Sequence, residues 1–120
     1  KHEVETLDNW VSQIPNTEHV AGKLSLNEEL SKIASLEIMI SMDSANMHLA
    51  SLVGTRCISV WGATHPYAGF LGYGQHEDDV IQVKDLTCRP CSVFGDKKCY
   101  RGDWACLHEI NIQQIMDKIQ

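Results

Sequence analysis

Two short segments carry residue types able to hold a phosphorylated ligand. The first is Asp43-Ser44-Ala45-Asn46-Met47-His48, which lies between a compact apolar run, Glu37 to Met42, and a helical stretch ending near Val53. A helix that begins within a residue or two of Asp43 leaves the backbone N–H groups of its first turn without intrahelical partners, and its dipole favours an anion there. Small residues at Ser44 and Ala45 allow a pyrophosphate to approach closely. The dipole alone contributes only about 0.3–1 kcal/mol at a surface and up to ~2 kcal/mol when partly buried, so several amides must act together. His48 falls at the first turn, where it can donate to a phosphate or sugar oxygen in either protonation state. The competing reading of the same spacing makes Asp43 a plain helix cap and His48 a packed core histidine, because strand-Asp-Ser-helix is not specific in isolation. The second segment, Gly62-Ala63-Thr64-His65-Pro66, is a Gly/Pro turn after an apolar run, and Gly69 to Gly74 continues it as a stretch able to fold over a ligand. Taken alone it reads as a plain strand-to-loop connection.

A third cluster is Cys88-x2-Cys91-x7-Cys99-x6-Cys106. Four thiols are enough for a tetrahedral zinc site; the first pair has ligand spacing and the second is wide for a zinc ribbon. A structural zinc site, disulfides and free thiols under a loop all remain open, and none of them implies catalysis. His108 is a stand-in ligand or a surface histidine. Cys57, inside the apolar run Cys-Ile-Ser-Val-Trp, reads as a small buried hydrophobe.

The elements that must position these residues follow from periodicity and punctuation. His2 to Ile14 carries Val4, Leu7, Trp10, Val11 and Ile14 at helical spacing, and Pro15 ends it. His19 to Ala21 is a short strand candidate. Ser25 and Glu28 form a capping box for a helix with Leu26, Leu30 and Ile33 on one face. Glu37 to Met42 is too short for a typical helix and suits a buried parallel strand. Met47 to Val53 is helical with Gly54 as its stop. Cys57 to Trp61 and Asp79 to Val83 are strands. Asn111 caps a last helix with Ile112, Ile115, Met116 and Ile119 on its apolar face. Alternation of this kind predicts an α/β fold, a Rossmann-like parallel sheet with helices on both faces. In such a sheet, ligands bind at the carboxyl ends of the strands, where both Asp43 and Gly62 fall.

Composition sets outer limits. The chain has 120 residues, is 43% hydrophobic and 22% charged, and carries a net charge of −6, which fits one packed domain, residues 1–120. No basic stripe runs along it, which argues against nucleic-acid binding. Its apolar runs fall well short of the ~20 residues a membrane span needs. The chain opens at Lys1 inside a helical pattern, whereas a doubly wound sheet normally opens on a strand; the expectation is a fragment with strands missing upstream.

The stretch from Ser25 to Gly74 resembles the donor half of family 9 glycosyltransferases, the heptosyltransferases of the lipopolysaccharide inner core. The residues that carry the likeness are Ser25-Leu26-Asn27-Glu28, the Ile38–Met42 run, Asp43 through Ala50, Gly54-Thr55 and Gly62-Ala63-Thr64-His65-Pro66. The resemblance implies the C-terminal half of a GT-B enzyme with a nucleotide-sugar donor, ADP-heptose-like, and no required cofactor. It implies that Asp43 bonds the sugar, that amides around Ser44, Ala45 and Asn46 hold the diphosphate, that Thr64 belongs to the site, and that His48 contacts phosphate or sugar. Glu3 aligns loosely with a glutamate that binds the nucleotide ribose. Ala45 and Ala63 depart from the family pattern, which has Gly and often Pro there; a positive φ at Ala45 would be strained. The resemblance further implies a lipid-A-linked core oligosaccharide as acceptor, held by an N-terminal domain that this chain lacks. It also implies peripheral association with the cytoplasmic face of the inner membrane, and an isolated fragment that binds without turnover. The alternatives from the residues alone are a non-catalytic nucleotide-binding module and a zinc-stabilised interaction domain.

Overall fold

The computed structural model describes residues 2–120. Its centre is a three-stranded, fully parallel sheet in the order β1 (Ile38–Met42), β2 (Arg56–Trp61), β3 (Val80–Gln82). Ile38 pairs with Arg56 and Met42 with Val60, while Ser59 pairs with Val80. The helices are α1 (His2–Gln13), α2 (Leu26–Ala34), α3 (Ala45–Leu52), α4 (Ala105–His108) and α5 (Ile112–Ile119).

Strand β2 is buried from Cys57 through Trp61, and its side chains alternate between two cores. Cys57 and Trp61 face Ile33 of α2 and Met47 and Ala50 of α3. Ile58 and Val60 face the other way with Ile81, against Ile38, Ile110 and Ile115 of α5. Helices therefore cover both faces of the sheet, as the alternation of elements predicts. The polar members of β2 are satisfied internally: the Trp61 indole donates to Ser59 Oγ at 2.9 Å. The Cys57 amide donates to Gln75 Oε1 at 2.8 Å, and Gln75 in turn donates to Thr55 O. Gln75 thus holds the β2-to-β3 crossover against the start of β2.

Local signals explain the ends of the elements. Glu28 accepts from the Ser25 amide at 2.8 Å and from its hydroxyl at 2.6 Å, forming the expected box before α2. Asn111 Oδ1 accepts from the Gln113 amide at 2.9 Å and starts α5. Gly54 ends α3 with φ +74°. Lys32 of α2 pairs with Glu18. Other expectations need correction. His19 to Ala21 is not a strand but coil entering a turn, and His19 bonds Asp8 of α1 at 2.8 Å instead of a neighbouring strand. Strand β3 is shorter than Asp79 to Val83, because Glu77–Asp79 forms a 3-10 turn. Leu26 is exposed, leaving Ile33 as the buried residue of α2.

Asp79 is buried and paired with Arg56, Nε to Oδ2 at 2.8 Å and Nη2 to Oδ1 at 2.6 Å. This fork ties the start of β2 to the turn before β3, and its hydrogen bonds hold the Asp79 carboxyl below its ordinary value of 3.8. A depressed carboxylate contributes stability above its unfolded pKa and loses it as pH falls through the folded value. The stability advantage of the parent chain over Asp79→Asn should therefore be full at neutral pH and vanish on acidification below pH 3.8; an unfolding difference that ignores pH would contradict the pairing. Ile58→Ala should cost about 2–5 kcal/mol in urea unfolding. Ile112→Ala, at a residue 72% exposed, should stay within about 0.5 kcal/mol.

Candidate functional site

Because β1 and β2 are adjacent and parallel, the chain leaves both at the same end of the sheet. The Asp43 amide continues the ladder by donating to Val60 O at 3.3 Å. Ser44, not Asp43, occupies the cap position of α3, in an extended conformation with φ −155° and ψ 171°. Its side chain caps nothing; Ser44 Oγ lies 3.1 Å from Ser41 Oγ instead. Asp43 is half-buried, and Ser44, Ala45, Asn46 and His48 are exposed, so Asp43 is no plain helix cap and His48 no packed core histidine. Ala45 opens the helix with negative φ, so the strain expected from replacing a glycine does not arise. The start of α3 presents backbone N–H groups to solvent between a carboxylate and an imidazole. That arrangement can hold a phosphate while bonding the hydroxyls of an attached sugar.

An apolar cavity of about 270 Å³ adjoins the same helix start. Val20, Leu24, Ile33, Leu36 and Met39 line it, and Asn46 contributes to its wall. A flat apolar ring can enter such a cavity while a phosphate attached to it reaches the N–H groups of α3. The sequence reading missed this cavity, because Val20 and Leu24 lie in the coil before α2, where no periodic pattern marks them.

Thr64 is buried in the loop after β2, at the same end of the sheet as Asp43. His65 begins a 3-10 turn, Pro66–Ala68, with Nδ1 accepting from the Tyr67 amide at 3.1 Å. Burial and then the charge of Arg89 hold the His65 imidazole below its ordinary pKa, which leaves it neutral at physiological pH. Glu3 is not among the residues that line the cavity beside α3. It sits exposed on the first turn of α1 and lines a separate cavity with Val4, Leu7, Trp10 and Ala21.

The cysteine-rich segment seats on the Thr64 loop. The Cys91 amide donates to Ala63 O at 3.0 Å, and a Cβ added to Gly95 would meet Thr64 Cγ2 at 2.9 Å. Arg89, which the sequence reading did not single out, bonds the carbonyls of Gly62 and Thr64. All five cysteines are free. Backbone N–H groups of Trp104, Gly102 and Arg101 lower the Cys99 pKa, while burial raises that of Cys106. Among the described residues no group of three or more His, Cys, Asp or Glu side chains is arranged to hold a metal ion. The four thiols of Cys88, Cys91, Cys99 and Cys106 lie close enough to influence one another, each of the other three raising the Cys106 pKa further. No helix among the described residues is long and apolar enough to cross a membrane.

No curated protein and no solved structure matches the chain. The family model of glycosyltransferase family 9 (heptosyltransferase) matches residues 1–113. With a parallel α/β sheet that brings the Asp43 and Thr64 loops to one end, and a family match over nearly its whole length, the chain belongs to glycosyltransferase family 9.

Proposed function

We propose that this chain is the donor-binding part of its glycosyltransferase, the C-terminal half of a GT-B enzyme, and that its donor is a nucleoside diphosphate sugar, ADP-heptose-like. The observation that carries the reading is the uncapped start of α3 beside an apolar cavity, with Asn46 common to both. The diphosphate binds the amides at Ser44, Ala45 and Asn46, the base enters the cavity lined by Val20, Leu24 and Met39, and Asp43 bonds hydroxyls of the sugar. His48 donates to a phosphate or sugar oxygen, and Thr64 closes the site from the neighbouring loop. Departure of the diphosphate is the step these groups assist: fixed N–H donors stabilise the charge that grows on the leaving oxygen without reorganising. No cofactor is needed for that role.

In the same proposal the acceptor and the catalytic base belong to a second domain outside this chain. The acceptor is the lipid-A-linked core oligosaccharide, met at the cytoplasmic face of the inner membrane. The present chain then binds donor without turning it over.

Titration of the chain with ADP and with UDP, followed by backbone amide shifts, tests the reading. ADP should shift Ser44 to His48 and Gly62 to His65, with UDP weaker. Asp43→Ala should leave ADP affinity nearly intact, because that carboxylate serves the sugar. His48→Ala should lower it roughly tenfold, the worth of one charge-assisted hydrogen bond. A folded chain showing no shift at the start of α3 with either nucleotide would contradict the proposal.

A further inference from the structure

We infer that Arg89 is a positioning residue for this donor site, holding the loop after β2 so that the Ala63 and His65 amides are presented to the ligand; the inference rests on the nucleotide-sugar reading above. Four of the five guanidinium N–H donors are engaged. Nε donates to Gly62 O at 2.7 Å, Nη2 to Thr64 O at 2.8 Å, and Nη1 to Val83 O at 2.7 Å and Gln82 Oε1 at 2.9 Å. Three of these acceptors are carbonyls of the chain leaving β2 and β3, so one side chain fastens the carboxyl ends of two neighbouring strands. Lysine cannot reproduce this, since its ammonium is a point charge without the planar fork.

Peptide geometry sets the consequence. In a planar trans peptide, the carbonyl of one residue and the N–H of the next point in opposite directions. With the Gly62 and Thr64 carbonyls turned to Arg89, the N–H groups of Ala63 and His65 turn away from it. Neither amide donates to a partner among the described residues. The loop has little freedom to rotate these peptides, because Ala63 O accepts from the Cys91 amide, Gly95 of the cysteine-rich segment packs against Thr64, and Leu107 of α4 packs against Gly62. That segment thereby acquires a role that needs no metal: it delivers Arg89.

Charge points the same way. Every acceptor of Arg89 is neutral, and among the described residues no ion pair includes it. Burial pushes the Arg89 pKa down, and the groups that oppose this are the nearby thiols of Cys106, Cys88 and Cys91, not a carboxylate. A diphosphate at this end of the sheet supplies the missing negative charge.

The test compares the parent chain with Arg89→Lys and Arg89→Gln, both checked for unchanged amide shifts in α2 and β1. Without ligand, 15N relaxation should show Gly62 to His65 rigid in the parent, with order parameters near ~0.85, and below ~0.6 in both variants. With ADP, the shifts at Ala63 and His65 should be lost and affinity should fall roughly tenfold, including in the charge-preserving lysine variant. An Arg89→Lys chain with a rigid loop and parental ADP affinity overturns the inference. A parent chain that does not respond to ADP overturns the donor reading itself, and the ligand-free order parameters tell the two failures apart.

Discussion

The register between β1 and β2 is the constraint on which the rest of the molecule depends. Strand β2 has no solvent face: Cys57, Ser59 and Trp61 fill one core while Ile58 and Val60 fill the other. A slip of one residue would exchange the two sets, carrying Trp61 and its Ser59 partner together into the core beneath α5. With the register fixed, Met42 and Trp61 end their strands side by side, and the Asp43 and Gly62 loops must emerge together. The site thus follows from packing: the two loops are neighbours because their strands are.

Stability and binding are distributed differently across this frame. The amino end of the sheet is tied by the Arg56–Asp79 fork and by Gln75, both internally satisfied. At the carboxyl end, the first turn of α3 has no side-chain cap, Asp43 and His48 are accessible, and Arg89 pairs with no carboxylate among the described residues. A cap at Ser44 would have added about 1 kcal/mol to the helix. Unmet hydrogen-bonding and charge capacity collected at one end of a sheet is what a ligand with complementary groups completes.

Much of the frame was legible from the residues. The Ser25–Glu28 box, the Gly54 stop, the Asn111 cap and the two apolar runs were read where they stand, because each is a local signal with its own cause. His19–Ala21 is too short to carry a period, and in the structure it is coil entering a turn, with His19 bonded to Asp8. The one-turn α4 was missed because Cys106 and Leu107 lie among residues that look like loop. Asp43, Ser44 and His48 are legible as candidates from their position at a strand end, and the structure places them there. Arg89 is not, since its role depends on carbonyls up to 27 residues away. The apolar cavity was hidden for the same reason, being assembled from coil, α2, β1 and α3.

The central claim is that a nucleoside diphosphate binds with its phosphates on the start of α3. A crystal structure of the chain with ADP bound tests it most directly. The account predicts phosphate oxygens within about 2.7–3.2 Å of the Ala45 and Asn46 amides, with the adenine in the cavity bounded by Val20, Leu24 and Met39. Phosphates seated elsewhere, such as the polar groove of His65, Gln82 and Lys84 beside β3, would contradict it.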